Sequence, residues 1–232
     1  MNLSDDQRRT FAALASDHEG HAQATLILYP DLFRHNDSHG WLHFNGTHWD
    51  TEGAEQRVRR AITNTLQKRR EIFAAKEEMK AANQSMSWAS NVNGTLAQLA
   101  KCTQVYTPAS SFDNYPDLLN VQNGVLDLRN GALLDRAPFH LFTYVLPVAY
   151  DPVAIDEGGW LKFLSSVGLS DDLIAYLQMA VGYSLTGHTS EEVLFYLYGQ
   201  RRSGKGTFVA VSYTHLRAHE TDSYLVCRLL LE

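Results

Sequence analysis

The sequence predicts an α/β chain: a mixed α+β domain, then a small helical segment, then a buried strand that runs into a glycine loop. Three observations carry this reading. Asn-Gly pairs at 45–46, 123–124 and 130–131 lie between short apolar runs, the pattern of β-hairpins. Val58, Ile62, Leu66 and Phe73 recur at helical spacing. The run 193–198, VLFYLY, is apolar throughout, as a strand buried on both faces must be, and it ends at Gly199.

Bulk properties narrow the classes. With 44% hydrophobic and 20% charged residues the chain has the composition of an ordinary globular protein. A net charge of −6 argues against a surface coated in cations for duplex DNA and still permits a local basic groove. Only Cys102 and Cys227 occur, which leaves neither a disulfide framework nor a zinc ribbon. The polar start, Met1 to Asp6, has no apolar signal region, and no run is long enough to span a bilayer, so a cytoplasmic protein without a membrane partner is expected.

In chain order, residues 1–20 are polar and predict a frayed helix or arm. Residues 26–33 form a short apolar segment broken by Pro30. A two-residue turn at Asn45-Gly46 would pair Phe44 with Thr47, His43 with His48 and Leu42 with Trp49, putting Leu42, Phe44 and Trp49 on one apolar face. Residues 52–83 predict a helix, and 88–101 a second. A three-strand meander follows over 119–122, 125–129 and 132–135, with Leu119, Val121, Leu126, Leu128 and Leu133 as its buried face. The Tyr150-Asp151-Pro152 step marks a boundary. Residues 160–167 and 171–185 predict two helices, the latter capped by Ser170 or Asp171.

The chemistry concentrates after residue 198. Gly199, Gly204 and Lys205 fit G-x-x-x-x-G-K, with a hydroxyl at Thr207 one place later than the strict pattern. Glycines let successive backbone N–H groups curl round a phosphate, a lysine reaches the outer oxygens, and a following helix offers its positive end. Gly199, Ser203, Gly204, Lys205, Gly206 and Thr207 are the candidate ATP-binding residues, and Thr207 is the nearest ligand for a nucleotide-borne Mg²⁺.

Further strings add a specific resemblance. Residues 118–131, LLNVQNGVLDLRNG, resemble the "LN-NG-LDL-G" hallmark of the phage/plasmid primase-helicase family. Tyr150-Asp151-Pro152, Tyr176 to Gln178, Gly182 to Gly187 and the Gly199 loop follow in that family's order, and Gly40-Trp41, His48-Trp49 and the helix through Arg70 are similar to its linker domain. The resemblance covers roughly residues 20–210. It implies a superfamily 3 helicase: a hexameric AAA+-like ring that hydrolyses ATP with Mg²⁺ and unwinds single-stranded or forked DNA during phage or plasmid replication in a bacterial host. On that resemblance, 1–20 is an arm, 21–152 the linker domain, 153–190 a helical adaptor and 191–210 the start of the P-loop ATPase core. Two departures stand out: Arg202-Ser203 replace the family's usual small residue and Asn, and Gly206 displaces the hydroxyl.

The final stretch, 211–232, resembles the translation of a sequencing-library adapter, so a non-native tail is expected there. The acidic strand, sensor and arginine finger of such an ATPase would then follow Ala210 in an intact parent. No catalytic residue is expected within this chain, which should be inactive as an ATPase.

Arg57, Arg59, Arg60, Lys68, Arg69 and Arg70 crowd one helix with no acid between 57 and 70. They suit contacts to a DNA backbone, or equally a solvated face paired with Glu52, Glu55 and Glu71. His18 and His21 miss the H-E-x-x-H zinc spacing by one residue, and His43 with His48 lacks further ligands. Two rival functions remain: another P-loop NTPase such as a kinase or packaging ATPase, and a non-enzymatic DNA-binding or assembly module. A kinase usually opens on its P-loop, whereas here the loop begins at position 199.

Overall fold

The computed structural model describes residues 4–85, 88–154 and 159–216. The chain divides into two compact units, one up to Phe112 and one from Asp113 on. No helix among the described residues is long and apolar enough to cross a membrane.

In the first unit, α1 (Asp5–Ala13) starts at Ser4, where Ser4 and Gln7 form a reciprocal capping box. Of the two alternatives expected at the start of the chain, a frayed helix or an arm, residues 5–13 take the helix, and it buries Phe11 against Ala24 and Leu28. Asp17 accepts from the Gly20 amide at 2.8 Å and caps α2 (His18–Leu28). β1 (Phe33–Asn36), β2 (Gly40–Phe44) and β3 (Trp49–Asp50) make an antiparallel sheet in the order β1-β2-β3. α3 (Ala54–Ala75) lays Val58, Ile62, Leu66 and Phe73 into the core, as their spacing predicts. Each such side chain contributes about 1.5–3 kcal/mol by burial. The expected helix over 52–83 is interrupted: Glu77 adopts φ 62°, and α4 (Met79–Gln84) resumes after it. α5 (Ala89–Lys101) matches the second predicted helix and brings Leu99 to the same core.

The first hairpin differs in register from the expectation. Phe44 pairs with Trp49 and His43 with Asp50, so Asn45 to His48 form a longer loop. The Asn45 Oδ1 accepts from the Thr47 and His48 amides at 2.9 and 3.0 Å, and only Gly46 takes positive φ. The side chain of Asn45 closes the turn that a left-handed Asn backbone would have closed. Because the slip is two residues, the faces survive: Leu42 and Trp49 are buried, and the Phe44 and Trp49 rings meet at 5.7 Å.

In the second unit, β4 (Leu118–Val121), β5 (Gly124–Asp127) and β6 (Ala132–Leu134) form the predicted meander. Val121 pairs with Gly124, so the turn is Gln122-Asn123 and Gly124 belongs to the strand. A Cβ there would lie 2.7 Å from the Leu134 carbonyl oxygen. The expected apolar face is only partly covered. Leu133 is exposed and Leu119, Leu126 and Leu128 are half-buried, while Asn120, Val125 and Asp127 are buried. These polar residues tolerate burial because they are satisfied. Asn120 donates to the Tyr144 carbonyl at 2.6 Å and accepts from Arg136 at 2.9 Å, and Asp127 accepts from Arg129. Hydrogen bonding overrides the leucine alternation.

The side-chain amide of Asn123 holds the Tyr150 step to this meander, donating to the Tyr150 carbonyl at 2.8 Å and accepting from its N–H at 2.9 Å. α6 (Trp160–Ser166) and α7 (Asp171–Ser184) follow as expected, with Ser170 capping α7. Beyond α7, Gly187 donates to Pro116 O at 2.8 Å and His188 meets Asp117 at 2.8 Å, tying the helices to the meander. α8 (Lys205–Leu216) continues through 211–216; the rest of the tail expected to be non-native, 217–232, lies outside the described residues.

Candidate phosphate-binding loop and basic helix

The segment before the loop corrects an expectation. Residues 193–198 form no strand, and Leu194 and Tyr198 are 65% and 83% exposed. A strand buried on both faces needs neighbours to supply ladder bonds. Among the described residues none flanks this segment, and the Tyr196 and Tyr198 rings stack on each other instead.

The loop itself is closely organised. Gly204 has φ 80°, and a Cβ there would sit 2.7 Å from Val167 Cγ1, so both backbone and packing require glycine. α8 begins at the next residue, Lys205. The Lys205 Nζ donates to the Gly199 and Gln200 carbonyls at 2.9 and 3.0 Å and to Ser203 Oγ at 3.1 Å. Three of the six candidates, Gly199, Ser203 and Lys205, thus share one polar cluster. Gly204 rests on Phe163 of α6 and on Val167 just after it, and Gly206 and Thr207 are exposed in the first turn of α8. Phe208 anchors that helix by stacking on Trp160 at 5.6 Å. Arg202 is held at φ 65°, a left-handed conformation unusual for a side-chain-bearing residue.

The arrangement suits an anion. A bound phosphate would take Lys205 from neutral carbonyls to charged oxygens, a stronger hydrogen bond. The first-turn amides of α8 have no helical partners of their own. No group of three or more His, Cys, Asp or Glu able to hold a metal exists among the described residues. Thr207, the residue expected to ligate a nucleotide-borne metal, has its side chain exposed to solvent.

The six cations of α3 do not form one surface. Arg69 is fully buried; its guanidinium donates to the carbonyls of Leu14, Ala15 and Gly20 at 2.9, 2.7 and 3.3 Å. It cannot reach DNA, because it satisfies carbonyls at the α1–α2 connection. Burial lowers its pKa to about 10, a value that leaves it charged at neutral pH. Arg59 is engaged by Glu55 and Asn93, both at 2.7 Å. The 3.6-residue period puts Arg59 and Arg70 on one flank of α3 and Arg57, Arg60 and Lys68 on the other. Arg57, Arg60 and Arg70 are exposed, and Lys68 is half-buried.

Sequence reasoning passed over a cavity on the second flank. It measures about 300 Å³ and is lined by Leu28, Tyr29, Asn64, Gln67, Lys68 and Glu71. The signal was there: two amides one turn apart, opposite the apolar stripe. The histidines play other parts. His21 is buried with Nε2 3.4 Å from the Gln84 carbonyl, and burial together with nearby Arg69 lowers its pKa to about 4. His43 contacts its cross-strand neighbour Asp50, while His48 lies in the loop against Thr47, so the two are not paired.

The family model described as D5 N terminal like matches residues 22–167. The matched stretch includes the basic helix and the meander and ends before the glycine loop. No curated protein matches the chain.

Proposed function

The chain belongs to the D5 N-terminal-like family, the N-terminal region of phage and plasmid primase-helicase replication proteins, and from that premise we propose that it serves an ATP-dependent replicative DNA helicase. In this reading residues 21–152 are the linker and 153–190 the helical adaptor that precede the motor, and the Gly199–Thr207 loop receives the nucleotide phosphates. The observation that carries it is the clustering of Lys205 with Gly199 and Ser203 at the start of α8, downstream of the family segment. The superfamily 3 motor, the homo-oligomeric ring and the DNA partner come from the family rather than from side chains described above.

Within this reading the roles divide simply. Lys205 exchanges the Gly199 and Gln200 carbonyls for the outer phosphate oxygens, Gly204 lets the backbone approach, and the first turn of α8 faces the phosphate with its positive end. Thr207 would hold Mg²⁺, which would supply charge neutralisation at the phosphates. Hydrolysis needs an acidic residue and an arginine finger that the loop does not contain.

Ligand-linked melting tests this. ATP with Mg²⁺ at a hundredfold excess over Kd should stabilise the second unit by about 2.7 kcal/mol. Lys205→Ala should abolish the shift. No shift in the unaltered chain at any ATP concentration would remove the nucleotide role. DNA binding by residues 1–190 without ATP would favour the second reading, a non-enzymatic DNA-binding or assembly module, and that module would then stand alone.

A further inference from the structure

The outer flank of α3 carries two features that the nucleotide loop leaves unused. Arg57 and Arg60 are exposed on it, and Lys68 lies further along the same flank. At 1.5 Å per residue the three cations extend over about 16 Å of helix. Between Lys68 and the end of α2 lies an open depression of about 300 Å³.

The cavity lining has the chemistry of a nucleobase site. Asn64 and Gln67 each present an amide donor and acceptor, the groups that pair with base edges. Asn64 Nδ2 donates to the Tyr29 hydroxyl at 3.3 Å, which orients both, and Leu28 supplies an apolar wall. Gln67 Nε2 reaches Glu71 Oε1 at 3.5 Å. The Glu71 carboxylate repels phosphate, so a polyanion is favoured toward Arg57 and Arg60, and the Glu71 end suits an uncharged base. Duplex DNA keeps its bases stacked inside, and only an unpaired strand can offer one to a side pocket.

We propose that this flank is a track for single-stranded DNA, with Arg57, Arg60 and Lys68 on the phosphates and one unpaired base in the cavity formed by Tyr29, Asn64 and Gln67. The proposal rests on the reading of the chain as part of a DNA-replication protein and adds the surface. Arg70, on the opposite flank, plays no part.

Fluorescence anisotropy of the full chain with a labelled single strand, an abasic copy of it and the matching duplex provides the test. The unaltered chain should prefer the base-bearing single strand to both others. Arg57→Gln combined with Arg60→Gln should weaken binding roughly tenfold and lower the salt slope by about 0.7 per cation removed. Asn64→Ala with Gln67→Ala should erase the preference over the abasic strand and leave the salt slope unchanged. Arg70→Gln should bind as the unaltered chain does, and all variants should keep its melting temperature, since the replaced side chains lie at the surface. Equal binding of abasic and base-bearing strands, or a loss with Arg70→Gln as large as with the Arg57/Arg60 pair, overturns the proposal and leaves the replication reading intact. No binding of any DNA at low salt overturns this proposal together with the DNA-binding part of that reading.

Discussion

Arg69 Nη2 lies 2.7 Å from the carbonyl oxygen of Ala15, joining the third helix to the α1–α2 connection across more than fifty residues of sequence. The same guanidinium reaches Leu14 and Gly20, and its carbon lies 5.1 Å from the Phe73 ring centroid. A basic residue in a run of basic residues is thereby a structural element of the core.

Arg69→Ala should therefore destabilise the first unit by about 1–3 kcal/mol, because it strips carbonyls of their donor. Arg70→Ala, on an exposed position next to it, should stay within about 0.5 kcal/mol. Urea denaturation of the two variants compares them directly. Equal effects would mean that the Arg69 network contributes no net stability.

His21 gives the first unit an acid sensitivity. Its folded pKa, about 4, lies below the ordinary 6.5 because burial and the Arg69 charge oppose protonation. Between those values the unfolded chain binds a proton that the folded chain does not, so stability is complete above pH 6.5 and falls as pH drops toward 4. The loss should approach about 3 kcal/mol at its limit. His21→Leu should flatten this part of the profile. An unchanged slope between pH 6.5 and 4 in that variant would assign the acid sensitivity to other groups.

Gly204→Ala should disturb the loop in two ways at once. The new Cβ would meet Val167 at 2.7 Å and Phe163 at 3.1 Å, and the backbone would be held at φ 80°. A strained left-handed residue alone costs about 1 kcal/mol or more. Gly206→Ala, where a Cβ has open space, should be tolerated. Thermal melts reporting on the second unit should separate the two; equal melting points would mean that the loop relaxes freely.

Much of this was legible in the residues themselves. The stripe of α3 is fixed by Val58, Ile62, Leu66 and Phe73, whose apolar area alone decides which face turns inward. The Gly204-Lys205 junction announced a loop entering a helix, and a helix begins there. Strand register was less legible. At Asn45 and Gln122-Asn123 the turns are shaped by side-chain hydrogen bonds and by the approach of Leu134 to Gly124, neither of which has a period. The buried Asn120 and Asp127 broke the leucine alternation because their partners, Tyr144, Arg136 and Arg129, come from neighbouring turns. The apolar run 193–198 looked like a strand on composition, but pairing belongs to neighbours rather than to a sequence. Arg69 shows the same limit, since nothing in a string of cations marks the one whose spacing turns it inward.

The central claim is that the Gly199–Thr207 loop holds the phosphates of a nucleoside triphosphate. Photo-crosslinking with an azido-ATP analogue, followed by peptide mapping, tests it most directly. The account predicts label on peptides containing or adjoining the loop, competition by unlabelled ATP, and loss of label in Lys205→Ala. Label confined to peptides of the first unit, or label that persists undiminished in Lys205→Ala, would contradict it.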